Sequence, residues 1–221
     1  MVYRTNMHLG VVILALIAHV SGQSLIFDFS QPATSSQLKS IASAGFASVS
    51  LRALSTTGFD MNFCNNAKLA ADAQIPYSIY ITPQTSDDGK AQARKLNEGL
   101  FKCELYTPMF WVQIVKPNTW KDSQSNVKFL TDLIDEAHSI YHQNVGIFTT
   151  ADEWNTIMGG TNITNISGLY HPLWYRGTTA HIDFNDFKSF GGWISPLIKQ
   201  CSQNVKVGGV TGNSNLYFSN N

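Results

Sequence analysis

The chain has 221 residues, 43% hydrophobic and 14% charged, with 15 basic and 15 acidic side chains. That size and composition suit one globular domain with a sizeable core and leave no room for two large ones. With neither a basic run nor a charge excess, nothing electrostatic points to nucleic acid or an anionic membrane as partner.

Residues Met1 to Val20 read MVYRTNMHLGVVILALIAHV. Arg4 stands near the start, an apolar stretch runs from Leu9 to Val20, and the small residues Ser21 and Gly22 follow. The stretch is short for a membrane span and has the order of a secretory signal: basic start, apolar middle, small-residue exit. A signal peptide over 1–22, cleaved after Gly22, is therefore expected, followed by one domain over 23–221; a buried first helix is the alternative. Removal takes out Arg4 and no acid, leaving 14 basic against 15 acidic residues, a net charge of −1. The expected product is a secreted, extracellular monomer with no membrane attachment.

From Gln23 short apolar runs alternate with helical periods. The expected strands are Leu25–Phe29, Phe46–Arg52, Tyr77–Ile81, Phe110–Val115 and Val145–Thr149. The expected helices are Ser35–Ala44, Met61–Gln74, Asp87–Phe101, a long one carrying Val127, Leu130, Ile134, Ala137 and Tyr141 on one stripe, and Ala151–Met158. After Met158 the regularity breaks, with Leu173–Tyr175 and Pro196–Gln200 as short strands. Strands alternating with helices call for a parallel sheet with covered faces. No glycine-rich phosphate loop follows a strand, so a single α/β chain folded as a (β/α) TIM-like barrel, irregular in its last third, is preferred to a nucleotide-binding sheet. In such a barrel the strand C-termini share one mouth, and there the pattern places Asp28, Arg52, Tyr80, Gln113, Val115, Thr149, Trp174 and Gln200.

Secretion gives the three cysteines meaning, because an oxidising compartment favours one disulfide and one leftover thiol. Cys64 opens one helix and Cys103 closes the next, so a Cys64–Cys103 bond with Cys201 free is the expected pairing; three unpaired thiols are the alternative. NITNIS holds two glycosylation sequons, at Asn162 and Asn165, in a loop expected to be exposed. His138 and His142 lie four apart on a helix without a third ligand, so no metal and no cofactor are expected. No serine or cysteine stands in a nucleophile signature.

The stretches FDFSQP (27–32), GFASVSLR (45–52), GFDMNFCNNAKLAADA (58–73), NVKFLTDLIDEA (126–137), VGIFTTADEW (145–154), LWY (173–175) and FKSFGGWISPLIKQ (187–200) together resemble the glycoside hydrolase family 25 lysozymes, in their secreted nematode and protist branch. The resemblance covers nearly all of the chain after residue 22. It implies a barrel muramidase that cuts the β-1,4 link between N-acetylmuramic acid and N-acetylglucosamine in peptidoglycan. It also implies an Asp on the first strand, an Asp-x-Glu pair at the end of the fourth and a further Asp near the C-terminus. Asp28 matches the first, but Gln113 and Val115 occupy the pair and Asn213 the last position.

Residues two apart on a strand point the same way, about 7 Å apart, so an Asp-x-Glu pair aims two carboxyls at one mouth. Glycoside hydrolysis needs one group to protonate the leaving oxygen and another to stabilise or attack the oxocarbenium-like centre. Gln113 cannot exchange a proton, and Val115 offers nothing polar. The expectation is thus a lysozyme-like pseudoenzyme that binds wall glycan in host defence; an active muramidase using Asp28 with a displaced acid, Asp60 or Asp183, is the alternative. The expected substrate-binding set is Arg52, Tyr80, Trp174 and Trp193, with Arg52 alternatively the ion-pair partner of Asp28. Trp111, inside an apolar run, is read as core.

Overall fold

The computed structural model describes residues 10–11, 22–116 and 119–218. Nearly all of the expected signal segment lies outside them.

Eight strands close into a barrel: β1 (Gln23–Phe29), β2 (Phe46–Ser55), β3 (Tyr77–Ile81), β4 (Met109–Gln113), β5 (Asn144–Thr149), β6 (Leu173–Arg176), β7 (Ile198–Val207) and β8 (Val210–Phe218). Neighbours from β1 through β7 pair in parallel. The eighth strand runs antiparallel to both β7 and β1 and so closes the ring. Five helices follow the first five strands: α1 (Ser35–Ser43), α2 (Met61–Asp72), α3 (Gly89–Lys102), α4 (Ser123–Tyr141) and α5 (Ala151–Met158).

Each helix starts where a side chain satisfies an otherwise orphaned N–H. Thr34, Asp60, Asp88, Asp122 and Thr150 are the N-caps, each accepting from a backbone amide of the first turn. The apolar stripes then dock on the barrel, as Leu130, Leu133, Ile134 and Ala137 do for α4. At Gly89 an added Cβ would lie 1.9 Å from the Phe129 carbonyl oxygen, so only glycine lets the start of α3 approach α4 this closely.

The five βα units agree with the sequence reading to within a residue or two at most helix ends. The last third departs from it. The strand expected to end at Gln200 continues to Val207, turns at Gly208–Gly209 with φ of 58° and 86°, and returns as β8. A two-glycine turn between β-branched valines is a hairpin signal that the broken periodicity hid. Where a sixth helix would stand, the irregular segment 177–192 covers the barrel. It is tied down by Asp186, which pairs with the fully buried Lys199 at 2.8 Å and accepts from the Tyr175 hydroxyl and the Thr178 amide.

Alternation divides the core in two. Phe27, Val49, Leu51, Ile79, Phe110, Val112, Val145 and Ile147 face the helices. Ile26, Tyr80, Trp111, Phe148, Trp174 and Ile198 fill the barrel interior. Trp174 is the hub of that interior, meeting Phe148, Trp111 and Tyr80 edge-on at centroid distances of 5.1, 5.6 and 6.4 Å. Gly146 makes the room: a Cβ there would sit 2.5 Å from the Trp111 ring. Cys64 and Cys103 form a disulfide that joins the first turn of α2 to the C-cap of α3, and Cys201 carries a free thiol. Among the described residues, no helix is long and apolar enough to cross a membrane.

Candidate functional site

Above the aromatic layer, toward the strand C-termini, the interior turns polar around Asp28. Asp28 is 2% exposed and directly opposite Asn213 in the β1–β8 register. Asn213 Nδ2 donates to its Oδ1 at 2.8 Å and Asn215 Nδ2 to its Oδ2 at 2.8 Å. Asn215 also accepts from the Trp174 indole N–H at 3.0 Å, which fixes the orientation of its amide. Burial pushes the Asp28 carboxyl up to about 6, and hydrogen bonds from Asn215, Asn213 and Gln200 hold it from rising further. Burial likewise pushes the Tyr80 hydroxyl's pKa up, making it harder to ionise, and the neighbouring Asp28 charge reinforces this.

Neither Gln113 nor Val115 at the β4 end carries a carboxyl. Gln113 takes the Thr82 hydroxyl on its Oε1 at 2.6 Å, and Val115, just past the strand, leans on the interior aromatic cluster while its carbonyl accepts the Trp120 indole N–H at 2.8 Å. Asn213 and Gln113, separated by 100 positions in sequence, thus share one mouth with Asp28 as strand alternation requires.

Other expectations need correction. Arg52 does not pair with Asp28. Its Nε and Nη2 both reach Asp60 Oδ2 at 2.9 Å, because the α2 N-cap stands directly beyond the end of β2. Thr149 does not face the mouth: parity turns it outward, where its hydroxyl donates to the Ile114 carbonyl at 2.8 Å, and Phe148 points inward instead. Trp174 lines the interior but is 1% exposed, so it forms a floor and offers no open ring face. Trp193 lies in the helix-side core, 3% exposed, stacked edge-on against Trp154 at 4.8 Å with its N–H on the His171 carbonyl. Asp60 is committed to Arg52 and to capping α2, and Asp183 caps Asn185 in the covering segment. Asn162 and Asn165 are both exposed, the former accepting from Thr164 of its own sequon at 2.7 Å. His138 and His142 are exposed on α4 and its C-cap, and among the described residues no three His, Cys, Asp or Glu side chains are placed to hold a metal ion.

Three residues at the mouth went unread. Asn215 would follow from Asn213 by alternation once β8 is recognised. Arg176, two beyond Trp174 on β6, follows by the same rule. Its Nη2 pairs with Glu153 Oε2 at 2.7 Å. Glu153 also takes the Thr150 hydroxyl at 3.0 Å and the Lys116 amide at 3.1 Å, so one carboxylate ties together the ends of β4, β5 and β6. The Thr150-x-x-Glu153 spacing is a capping-box signature visible in the sequence.

The family profile described as Lysozyme-like protein 1 matches residues 20–201. The chain belongs to the family 25 lysozyme-like proteins. It is 31% identical over 214 residues to Lysozyme-like protein 7 of Caenorhabditis elegans, covering 92% of this chain and 75% of that one. It is 31% identical over 196 residues to "Probable GH family 25 lysozyme 2" of Dictyostelium discoideum, covering 85% and 86%. Solved structures agree on the family 25 fold: the muramidase of Acremonium alcalophilum superposes with a TM-score of 0.71 at 21% identity over 90% of this chain and 94% of that one. The autolysin LytC of Streptococcus pneumoniae, solved with a synthetic peptidoglycan ligand, superposes with a TM-score of 0.68 at 14% identity over 89% of this chain and 47% of that one. In this chain the Asp28–Asn213–Asn215 cluster stands at the mouth of that barrel.

Proposed function

We propose that the protein is a secreted lysozyme-like protein that binds peptidoglycan at the barrel mouth without cleaving it, and that it acts in host defence. One observation carries the reading. The mouth holds Asp28 ringed by the amides of Asn213, Asn215 and Gln200, while the β4 end that faces it carries Gln113 and Val115. Two proton-handling roles need two groups, and the other carboxylate at the mouth, Glu153, is held by Arg176, the Thr150 hydroxyl and the Lys116 amide. Losing general acid catalysis costs about 10²- to 10⁴-fold, roughly 3–5 kcal/mol of barrier. An amide-lined site without that acid still suits the acetamido and hydroxyl groups of an amino sugar. The family relationship and the peptidoglycan-bound LytC structure support wall glycan as the ligand class. The mature chain begins at Gln23, with glycans on Asn162 or Asn165.

The test sets two assays side by side: pull-down on insoluble peptidoglycan, and turbidity loss of a bacterial wall suspension. Binding without clearing is the expected result. Robust clearing that disappears in Asp28→Ala would falsify the non-cleaving half of the reading, and failure to bind would end the glycan half.

A further inference from the structure

The end of the barrel opposite the mouth carries an apolar patch that the Asp28 site does not use. Tyr170, just ahead of β6, is 76% exposed, and Ile194, just ahead of β7, is 85% exposed. Trp193 brings them together. It is the chain neighbour of Ile194, and its indole N–H donates to the carbonyl of His171, the neighbour of Tyr170, at 2.7 Å. Adjacent large apolar side chains this open to water mark a surface that something covers.

Asn162 stands at the edge of that patch. The Ile163 amide donates to the Gly191 carbonyl at 2.7 Å, and the Asn162 side chain occupies the space that Gly192 leaves: a Cβ on Gly192 would lie 2.3 Å from Asn162 Oδ1. Ile194 is two residues beyond Gly192.

The two overlapping sequons are not equivalent in the folded chain. Asn162 Oδ1 accepts both the Thr164 amide at 3.0 Å and the Thr164 hydroxyl at 2.7 Å, a local turn that leaves Nδ2 without an acceptor among the described residues. The hydroxyl of its own sequon thus polarises the amide to be modified, and the nitrogen stays open to solvent. At Asn165 the sequon hydroxyl is spent elsewhere. His171 Nδ1 donates to the Val145 carbonyl at 2.8 Å, so in the neutral ring Nε2 is the acceptor, and it takes the Ser167 hydroxyl at 2.5 Å. Ser167 Oγ in turn accepts the Leu169 amide at 3.3 Å.

We infer that Asn162, and not Asn165, carries an N-linked glycan whose first sugars lie over Tyr170 and Ile194 and cover the apolar patch. In the transfer a bond forms between Asn162 Nδ2 and the anomeric carbon of a sugar. That carbon's bond to the diphosphate of a lipid-linked oligosaccharide donor breaks, the lipid diphosphate leaves, and Nδ2 gives up one proton. A sugar ring offers an apolar face to the flat Tyr170 ring and keeps its hydroxyls in water, so the pairing suits both. The inference rests on the secreted half of the reading above and is independent of wall binding, since the patch lies at the far end of the barrel from Asp28.

The experiment isolates the chain from the medium of secreting eukaryotic cells, removes glycans with a peptide N-glycanase in heavy-oxygen water, and locates the label by peptide fragmentation. The label should fall on Asn162. Asn162→Gln should lose the glycan-dependent mobility shift, and Asn165→Gln should keep it. Binding of a hydrophobic dye is then compared on the same folded preparation before and after glycan removal, which avoids any folding defect of a variant. Dye emission should rise on removal, and in Tyr170→Ser with Ile194→Ser, both exposed positions, the rise should be lost. Label on Asn165 alone, or on neither, overturns the site. Unchanged dye binding on removal, or a rise that persists in the double serine variant, overturns the covering role. Failure of the cells to export the chain ends the secretion reading and this inference together.

Discussion

At the scale of single residues, Asp28 concentrates the consequences of burial. An unfolded aspartate titrates near 4, whereas burial puts Asp28 at about 6, so between those values the folded chain binds the extra proton. Stability from this residue is therefore greatest at low pH, falls as pH rises from about 4 to about 6, and is fully lost above that. Asp28→Asn removes the titration. On going from pH 7 to pH 4.5, the unfolding free energy of the unmodified protein should gain about 2 kcal/mol relative to that variant. Urea denaturation at the two pH values measures this, and a difference that does not change with pH would mean that the three amides already hold the carboxyl ionised. The residue was legible as a strand-end acid. Its amide ring was not, because Asn215 becomes visible only when the last strand is placed.

At the scale of elements, the segment that replaces a sixth helix depends on one buried ion pair. Burial pushes the Asp186 carboxyl up, but Lys199, the Tyr175 hydroxyl and the amides of Thr178 and Thr179 outweigh that and hold it well below the usual carboxylate range. The stability this pair contributes is present above the unfolded value near 4 and is lost as pH falls below it. Lys199→Met leaves a buried negative charge without its partner and should cost about 3–5 kcal/mol at pH 7. Lys199→Met with Asp186→Asn should recover part of that loss, since no unpaired charge remains. Denaturant midpoints check both, and a loss under about 1 kcal/mol for the single variant would show that water reaches Asp186. The five regular βα units could be read ahead because each carries both a cap and an apolar stripe. Segment 177–192 has neither, so its anchoring on a buried lysine had no local signal.

At the scale of the whole molecule, the barrel brings together positions from the start, middle and end of the chain: Asp28, Gln113 and Val115, and Asn213. Introducing Gln113→Asp and Val115→Glu together should leave wall lysis well short of full activity, and adding Asn213→Asp should improve on the pair. Gln113 is bonded to Thr82 and Val115 leans on the interior aromatics, so new carboxyls enter a shell packed for other groups. A misplacement of about 1 Å can cost on the order of 100-fold. Asn213→Asp would set a second carboxyl at hydrogen-bonding distance from Asp28, where the two must share a proton. Turbidity assays of the double and triple variants measure the order, and full lysis by the double variant would show that the shell was kept.

Local signals in the sequence determined the alternation of strands and helices, the closed barrel and the family, and they place Gln113, Val115 and Asn213, none of them acidic, toward the barrel mouth. Strand periodicity, caps and motif order are short-range properties, written in neighbouring residues. The side of the barrel wall each residue occupies in the last third, the choice of Asp60 over Asp28 as the partner of Arg52, and the burial of Trp174 and Trp193 were decided only by the tertiary structure. Those outcomes depend on which strand ends meet when the ring closes, and β8 closes it by pairing antiparallel with β1 across the whole length of the chain. A contact between residues 28 and 213 has no representation in any local pattern, and the character of the site turns on it.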